Sequence, residues 1–486
     1  MIAYFHFSRP RKYQIKPHLC QAGMGQSEKH TLTNEKPLIR GLGLKEATAI
    51  NMIDMVGMGP FIIIPFVINR MHGPQCILAW LLGAFLAFMD GSVWAELGAS
   101  YPVAGGSYVF LQKIYGEKRW GSLFAFLFIW QTSIQAPLVI ASGAIGFAHY
   151  FNYLIPLSSI GQRAVSGGLI LFLVFLLYRK ISDVGKISLV MGLVVGLTLL
   201  WVIIAGFTHF HASYILDVPS DSFKLSPIFF TGLGLASTKT IYSFLGYYNV
   251  CHLGAEIRDP EKNIPRSIFI SISVITIIYL LMQVSVLGAM PWQESEKSTY
   301  FISTLFEKLY GVIAANIVTI LILFVGIASL FSATLGYSRI PYAAAIQGNF
   351  FKLFARIHPS RQFPHISLLF LCGVAFLFSL FSDLSTIITV IVIMRIPVQF
   401  VGQAAGLIAL RYRNKKSPRP YRMFLFPVPA VISIFIWLFV MFSMEWKVFA
   451  MAFGVVTIGL ILFLIRAKNN RTFPFGEKEQ SVVNQP

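Results

Sequence analysis

A succession of long apolar runs constrains this chain more than any other feature. Each run is about 20 residues, the length a helix needs to cross the hydrocarbon core of a bilayer. Twelve are read, with cores near 46–68, 75–96, 120–147, 163–180, 186–208, 232–254, 267–290, 312–336, 365–382, 384–410, 424–443 and 447–466. Backbone polar groups in lipid must be satisfied inside the chain, so apolar runs of this length are expected to be helices. The expected class is an all-α polytopic membrane protein. Composition supports it: 12% of the 486 residues are charged, about half the usual share for a soluble domain.

The formal net charge is +19, which raises the question of a nucleic-acid partner. The charges lie in short loops between apolar runs, and no basic or zinc-spaced motif accompanies them, so none is expected. The same charges set an orientation. With both termini cytoplasmic, the inward segments hold 31 of the 39 Lys and Arg. The outward ones hold 6: Arg70, Arg163, Lys224, Lys297, Lys308 and Lys447. The positive-inside rule then places both termini in the cytoplasm, in a plasma or inner cell membrane. The four cysteines, Cys20, Cys76, Cys251 and Cys372, make no metal spacing and no disulfide framework. About 40 mostly polar residues precede the first span and carry no signal-peptide pattern.

Two of the runs are interrupted. The first reads KEATAINMIDMVGMGPFIIIPFVI over 45–68, with Gly57, Met58, Gly59 and Pro60 at its centre. Glycine is flexible and proline lacks an N–H, so a continuous helix is disfavoured there. The sixth, over 232–256, carries Gly246 in mid-run. A pair of broken hydrophobic segments at matching places in two halves points to a transporter's binding site. The expected plan is two inverted five-helix repeats, spans 1–5 and 6–10, plus two C-terminal helices. In residues, this is a cytoplasmic tail (1–44), repeats over 45–210 and 211–411, a linker with the last two helices (412–467), and a second tail (468–486). Gly105–Tyr115 and Gly348–Ala355 are expected as interfacial helices.

Several motifs are similar to those of the amino acid–polyamine–organocation (APC) transporter superfamily. The Gly57-Met58-Gly59 break resembles its first-helix glycine motif. Ala95-Glu96-Leu97 with Pro102, Gly105, Gly106 and Tyr108 resembles the family's "AEL…P…GG.Y.Y" pattern. The most specific match is Glu256-Ile257-Arg258-Asp259-Pro260-Glu261-Lys262-Asn263-Ile264-Pro265-Arg266, similar to "E…NP.K.IPRA". Ser338-Arg339 with Gly348 and Pro364 resembles a later motif, in which Gln347 replaces the usual acid. Arg419-Pro420-Tyr421-Arg422 resembles the linker before span 11. The ordered set covers about residues 45–425. The resemblance implies an inverted-repeat transporter for amino acids or related amines.

A helix broken at mid-membrane exposes N–H groups on one side and carbonyls on the other, tolerated only around a cavity or ligand. Such ends suit a zwitterion, with its carboxylate on N–H groups and its ammonium on carbonyls. The candidate substrate-binding residues are Gly57, Met58, Gly59 and Pro60 at the first break, and Tyr242, Ser243, Phe244, Leu245 and Gly246 at the second. Phe244 is taken as a gate, by its resemblance to the family's usual gate position. The alternative for the glycines is close helix packing.

Intramembrane charges are the other candidates, because they are costly and usually face a pathway. Asp54, one turn before the first break, would carry a coupling proton, bind a substrate amine or partner another helix. Arg395, mid-span, is expected to pair with Asp54 or Asp90. Lys239 either faces the pathway or snorkels to the outer interface. Glu96 and Glu256 lie near cytoplasmic ends and are expected to stabilise an inner gate. Trp130, Gln131, Ser329 and Ser332 are further lining candidates, and His209 and His211 are assigned no role. No cofactor is expected beyond a coupling proton or Na⁺. Span 5 has no basic residue beyond Lys186, unlike some proton-coupled members of the superfamily.

The expected function is secondary active transport of amino acids by alternating access, with proton coupling. A polyamine or organic-amine carrier and an amino acid exchanger are the alternatives. A nutrient sensor would want a large soluble signalling segment. An intramembrane enzyme is disfavoured, since H-E-x-x-H, G-x-S-x-G and paired catalytic carboxylates are all missing from the sequence. The lipid bilayer and the small-molecule substrate are the expected partners, and the oligomeric state is left open.

Overall fold

A computed structural model describes residues 38–220, 223–381, 391–415, 419–444, 446–470 and 472–476. The N-terminal tail through residue 37, Cys20, the first part of span 10 and the last ten residues lie outside the described residues. Helices occupy every one of the twelve expected segments. They are α1 (Leu44–Met55), α2 (Gly59–Met71), α3 (Ile77–Ser100), α4 (Ser107–Tyr115), α5 (Trp120–Leu154), α6 (Ser159–Leu177) and α7 (Ile181–Thr208). After these come α8 (Pro227–Phe244), α9 (Asn249–His252), α10 (Pro260–Ala289), α11 (Phe301–Tyr310), α12 (Val312–Tyr337), α13 (Arg339–Ile346) and α14 (His365–Phe381). The last are α15 (Ile391–Arg413), α16 (Val428–Phe442) and α17 (Trp446–Asn469). Among the described residues, 8 helices are each long and apolar enough to cross a membrane, and α1 with α2, bent by 44° at their junction, make a ninth.

The burial pattern is that of a protein solvated by lipid. On α7, Val190, Leu193, Leu197, Leu200 and Ile204 are all exposed at helical spacing, while Val184, Met191, Val195, Leu199 and Val202 on the other face are buried. Asn51, Asp90, Gln283, Arg395 and Gln399, by contrast, are buried. Apolar outside and polar inside is the arrangement that hydrocarbon permits, because the polar groups find partners only within the bundle.

The two broken segments lie against each other at the centre. α8 packs on α2, and α9 packs on α1. The earlier half of one segment thus meets the later half of the other, so the two run antiparallel. Their far ends also meet: Leu42 N–H donates to Glu256 O at 3.0 Å and Arg258 N–H to Leu42 O at 2.8 Å. Around this pair the contacts are reciprocal, with α3 packed on α8 and α10 packed on α1, while α5 packs against α12.

Local chemistry explains the helix ends. Gly43 N–H donates to the Glu46 carboxylate at 2.9 Å, satisfying one of the orphan donors at the start of α1. Pro60 takes the second position of α2, where a missing N–H costs nothing. Pro260 opens α10 in the same way.

Three expectations are corrected. Helix α4, expected at the interface, is packed into the bundle: Tyr108, Val109, Phe110 and Leu111 are buried, against α5 and α15. The helix expected over Gly348–Ala355 lies earlier, as α13, and only a 3₁₀ turn covers Lys352–Ala355. The second half of span 6 is not a long helix. It is the four-residue α9 followed by a 3₁₀ turn at Gly254–Glu256.

Candidate substrate site between the broken helices

A cavity of about 80 Å³ sits where both breaks meet. Asp54, Gly57, Met58, Gly59 and Pro60 line it from the first break. Tyr242, Ser243, Leu245, Gly246 and Tyr248 line it from the second. Helix α5 adds Val139, Ser142 and Gly143, α12 adds Gly326, Ser329, Leu330, Ala333 and Tyr337, and α15 adds Arg395.

The start of α2 lines this space with Gly59 and Pro60, and a helix N-terminus is the positive end of the helix dipole. The carbonyls that end α1 are more engaged than the sequence suggests. Ser332 Oγ donates to Ile50 O at 2.7 Å and Ser329 Oγ to Asp54 O at 3.3 Å. Tyr279 OH lies 2.8 Å from Met55 O and 3.1 Å from Ser243 O, so one hydroxyl ties the end of α1 to the end of α8. The second break is held by Asn51. Its Nδ2 donates to Tyr247 O at 2.7 Å, and its Oδ1 accepts from Val250 N–H at 2.9 Å. Asn249 Nδ2 donates to Ser332 O at 2.8 Å, fastening α9 to α12.

Gly246 has φ +127°, a conformation that side-chain-bearing residues rarely adopt. A Cβ there would lie 2.7 Å from Met55 N and 2.8 Å from the Asp54 carbonyl carbon. The glycine is what lets the two breaks touch.

The charged groups fall into two sets. Arg395 is 1% exposed, yet it lines the cavity. The expected ion pair with Asp54 or Asp90 is not formed among the described residues. Its Nε donates to Gln399 Oε1 at 2.8 Å, one terminal nitrogen to Tyr337 OH at 3.4 Å and the other to Tyr248 OH. The guanidinium also lies 5.1 Å from the Tyr248 ring centre and 5.2 Å from that of Phe400. Neutral donor–acceptor partners and two π faces thus compensate a buried cation. The residues that follow, Ile396–Val401, form a π-helical turn, a distortion frequent at functional sites. Asp90 is satisfied elsewhere, accepting from Trp94 Nε1 at 2.9 Å, Tyr247 OH at 2.5 Å and Trp437 Nε1 at 3.4 Å. Asp54 stays on the cavity wall beside Arg395.

Five other candidates are placed off the cavity wall. Phe244 is buried edge-on between Trp80 and Tyr279, with ring centres at 6.3 and 5.2 Å. It supports the break from behind, and Tyr242 occupies the cavity side instead. Trp130 donates its Nε1 to Val455 O at 2.8 Å and faces Gly459, so it joins α5 to α17. Gln131 is buried outside the cavity wall. Lys239 is 8% exposed, its ammonium 5.5 Å from the centre of the Phe66 ring. Ser329 lines the cavity, whereas Ser332 sits behind it as a tether.

Glu96 and Glu256 form buried ion pairs at the Leu44 end of the bundle. Arg339 grips Glu256 through two bonds of 2.8 Å. Glu96 pairs with Arg411, lies 3.3 Å from Arg419 and accepts from Met423 N–H at 2.8 Å. Sequence reasoning missed Tyr248, Tyr337, Ser142 and Asn51. Asn51 alone left a signal, a polar side chain in an apolar span. The others became site residues only when four helices were brought together.

The sequence model for "Amino acid permease" matches residues 42–465. The chain is 27% identical over 447 residues to the Asc-type amino acid transporter 1 of Mus musculus, covering 88% of this chain and 81% of that protein. It is 28% identical over 424 residues to the Large neutral amino acids transporter small subunit 2 of Homo sapiens, covering 84% and 76%. It is 24% identical over 462 residues to the Methylthioribose transporter of Bacillus subtilis (strain 168), covering 90% and 96%. A match over most of the chain, on a lipid-solvated bundle of broken and continuous helices, has one reading: the chain belongs to the amino acid permease family of the APC superfamily and is an integral multi-pass membrane transporter, not an enzyme.

Proposed function

We propose that the protein is a secondary transporter of amino acids, working by alternating access around the cavity between the breaks. The observation that carries this reading is that both breaks wall one cavity, with the start of α2, Asp54 and Arg395 all lining it. In this reading the substrate carboxylate sits on the first turn of α2, and its ammonium is held near Asp54. The proposed inverted five-helix repeat is supported by the antiparallel breaks and their reciprocal packing. Asp54 is the proposed proton carrier: as a carboxylate on the cavity wall it can take a proton from one side and release it to the other. A carrier of organic amines is the second reading, favoured by the same carboxylate.

Uptake into liposomes, competed by a panel of amino acids and polyamines, tests the substrate class. Accumulation competed by neutral amino acids is expected, and inhibition by polyamines alone overturns the reading. Asp54→Asn is expected to abolish accumulation driven by a pH gradient while sparing exchange of bound substrate. Undiminished accumulation in that variant removes Asp54 from coupling. The proposed orientation has both termini cytoplasmic. Ser220→Cys is expected to react with an impermeant thiol reagent outside intact cells, and Asn414→Cys is not; the reverse pattern inverts the topology.

A further inference from the structure

A second concavity, of about 630 Å³, opens on the lipid-facing side of the bundle, well away from the substrate cavity. Its upper wall is apolar: Leu171, Val174 and Phe175 of α6, with Leu171 and Phe175 each 62% exposed. Its floor is cationic: Arg179, Lys180 and Arg361, with Asp183 the one carboxylate lining it. From Leu171 to Tyr178 the groove follows α6 for about 10 Å at 1.5 Å per residue. It therefore runs from the depth of acyl chains to the level of headgroups.

The cations are held in place. Arg361 donates to Tyr178 O, a carbonyl at the end of α6, and its guanidinium stands 5.0 Å from the Tyr178 ring centre. Arg179 stands 5.5 Å from the ring of Phe175. At the same end of the bundle Arg339 is paired with Glu256, and Arg411 and Arg419 with Glu96. Among the described residues, Arg179, Lys180 and Arg361 have no carboxylate within ion-pair distance. The groove lies at the Leu44 end, since Ile181 packs on Gly41.

We propose that this groove binds an anionic phospholipid, its phosphodiester on Arg179, Lys180 and Arg361 and an acyl chain along Leu171 and Phe175. Three cations against one carboxylate complement a phosphate. The exposed apolar wall already faces hydrocarbon, so the occupant is a lipid and not a soluble phosphate. Basic pockets between membrane helices recognise headgroups on the same physical grounds. The lipid would tie the α6–α7 turn to the segment carrying Arg361, two parts of the chain far apart in sequence.

The test uses the purified full-length protein in detergent, with bound lipid counted by native mass spectrometry. The probes are phosphatidylglycerol, phosphatidylcholine and soluble glycerol 3-phosphate. Each cation near an anionic headgroup changes affinity by about fivefold. The double variant Arg179→Gln/Lys180→Gln is therefore expected to bind phosphatidylglycerol on the order of 20-fold more weakly, with phosphatidylcholine binding unchanged. Both side chains are exposed, so this variant keeps its fold. Arg361→Gln, which also loses its bond to Tyr178 O, serves as a second variant, and Arg179→Lys is expected to retain most of the binding. Equal retention of the two phospholipids by the wild type overturns the proposal, as does an unchanged phosphatidylglycerol count in the double variant. Displacement of the lipid by millimolar glycerol 3-phosphate also overturns it, by showing that the headgroup alone is the ligand.

Discussion

The two breaks do the same work by different means. The first is short: α1 stops at Met55, α2 resumes at Gly59, and the axis bends by 44°. None of its residues has a positive φ among the described residues. The second is severe. Gly246 has φ +127°, and only a four-residue helix follows it. The first break rests on hydroxyls that reach its carbonyls from other helices, those of Ser329, Ser332 and Tyr279. The second rests on backbone conformation and on the amide of Asn51. A break that keeps near-helical geometry tolerates ordinary residues, whereas one that leaves it requires glycine and a side chain that substitutes for the lost ladder.

This contrast sets an order of substitutions, read as the melting temperature of purified protein and as uptake into liposomes. Gly246→Ala is expected to do most harm. It imposes about 1–3 kcal/mol of backbone strain and drives a Cβ against backbone atoms of Asp54 and Met55, 2.8 and 2.7 Å away. Loss of both folded yield and uptake is expected; a stable, active Gly246→Ala protein would remove the asymmetry between the breaks.

Asn51→Ala comes next. It orphans Tyr247 O and Val250 N–H in a buried site, at about 2–4 kcal/mol. The melting temperature is expected to fall and uptake to be lost. An unchanged melting temperature would show that the two Asn51 bonds contribute nothing to the second break.

Tyr279→Phe removes one hydroxyl shared by both breaks, for about 1–2 kcal/mol. It is expected to lower the melting temperature measurably but leave detectable uptake. Complete inactivity with an unchanged melting temperature would instead make Tyr279 part of transport.

The first break's own glycines are expected to matter least for stability. At Gly57 a new Cβ meets Ser329 Oγ at 2.8 Å, and at Gly59 it meets Ser243 Oγ at 3.1 Å. Both obstacles are side-chain ends, so Gly57→Ala is expected to cost about 1 kcal/mol, through the bond from Ser329 to Asp54 O, and Gly59→Ala less. Gly59 lines the cavity, so uptake by a stable Gly59→Ala protein is expected to show a raised KM. An unchanged KM would move the substrate carboxylate away from α2.

Much of this architecture was legible because hydrocarbon is a severe solvent. Apolar runs had to be helices, and the Gly-Met-Gly-Pro cluster had to interrupt one. Gly246 sat far enough inside another run to mark a second interruption. Individual cavity-lining residues were legible when they belonged to a break itself, as with Gly57, Gly59, Tyr242 and Gly246. They were misread when the judgement depended on which way a side chain turned. Phe244 lies two residues from Gly246 but faces Trp80 and Tyr279, and Trp130 faces α17.

The sequence by itself therefore determined the class and the location of both breaks, since these follow from local apolarity and backbone chemistry. Only the tertiary structure decided which groups meet. It put Tyr279 between Met55 and Ser243, Asn51 against Tyr247, and three tryptophan and tyrosine donors on Asp90, which left Arg395 to Tyr248, Tyr337 and Gln399. Apart from Gln399 on Arg395 and Trp94 on Asp90, each four residues away, those partners lie tens to hundreds of residues apart, and the choice among them depends on helix rotation. A buried charge takes the partner that packing brings near, and no spacing along the chain records that.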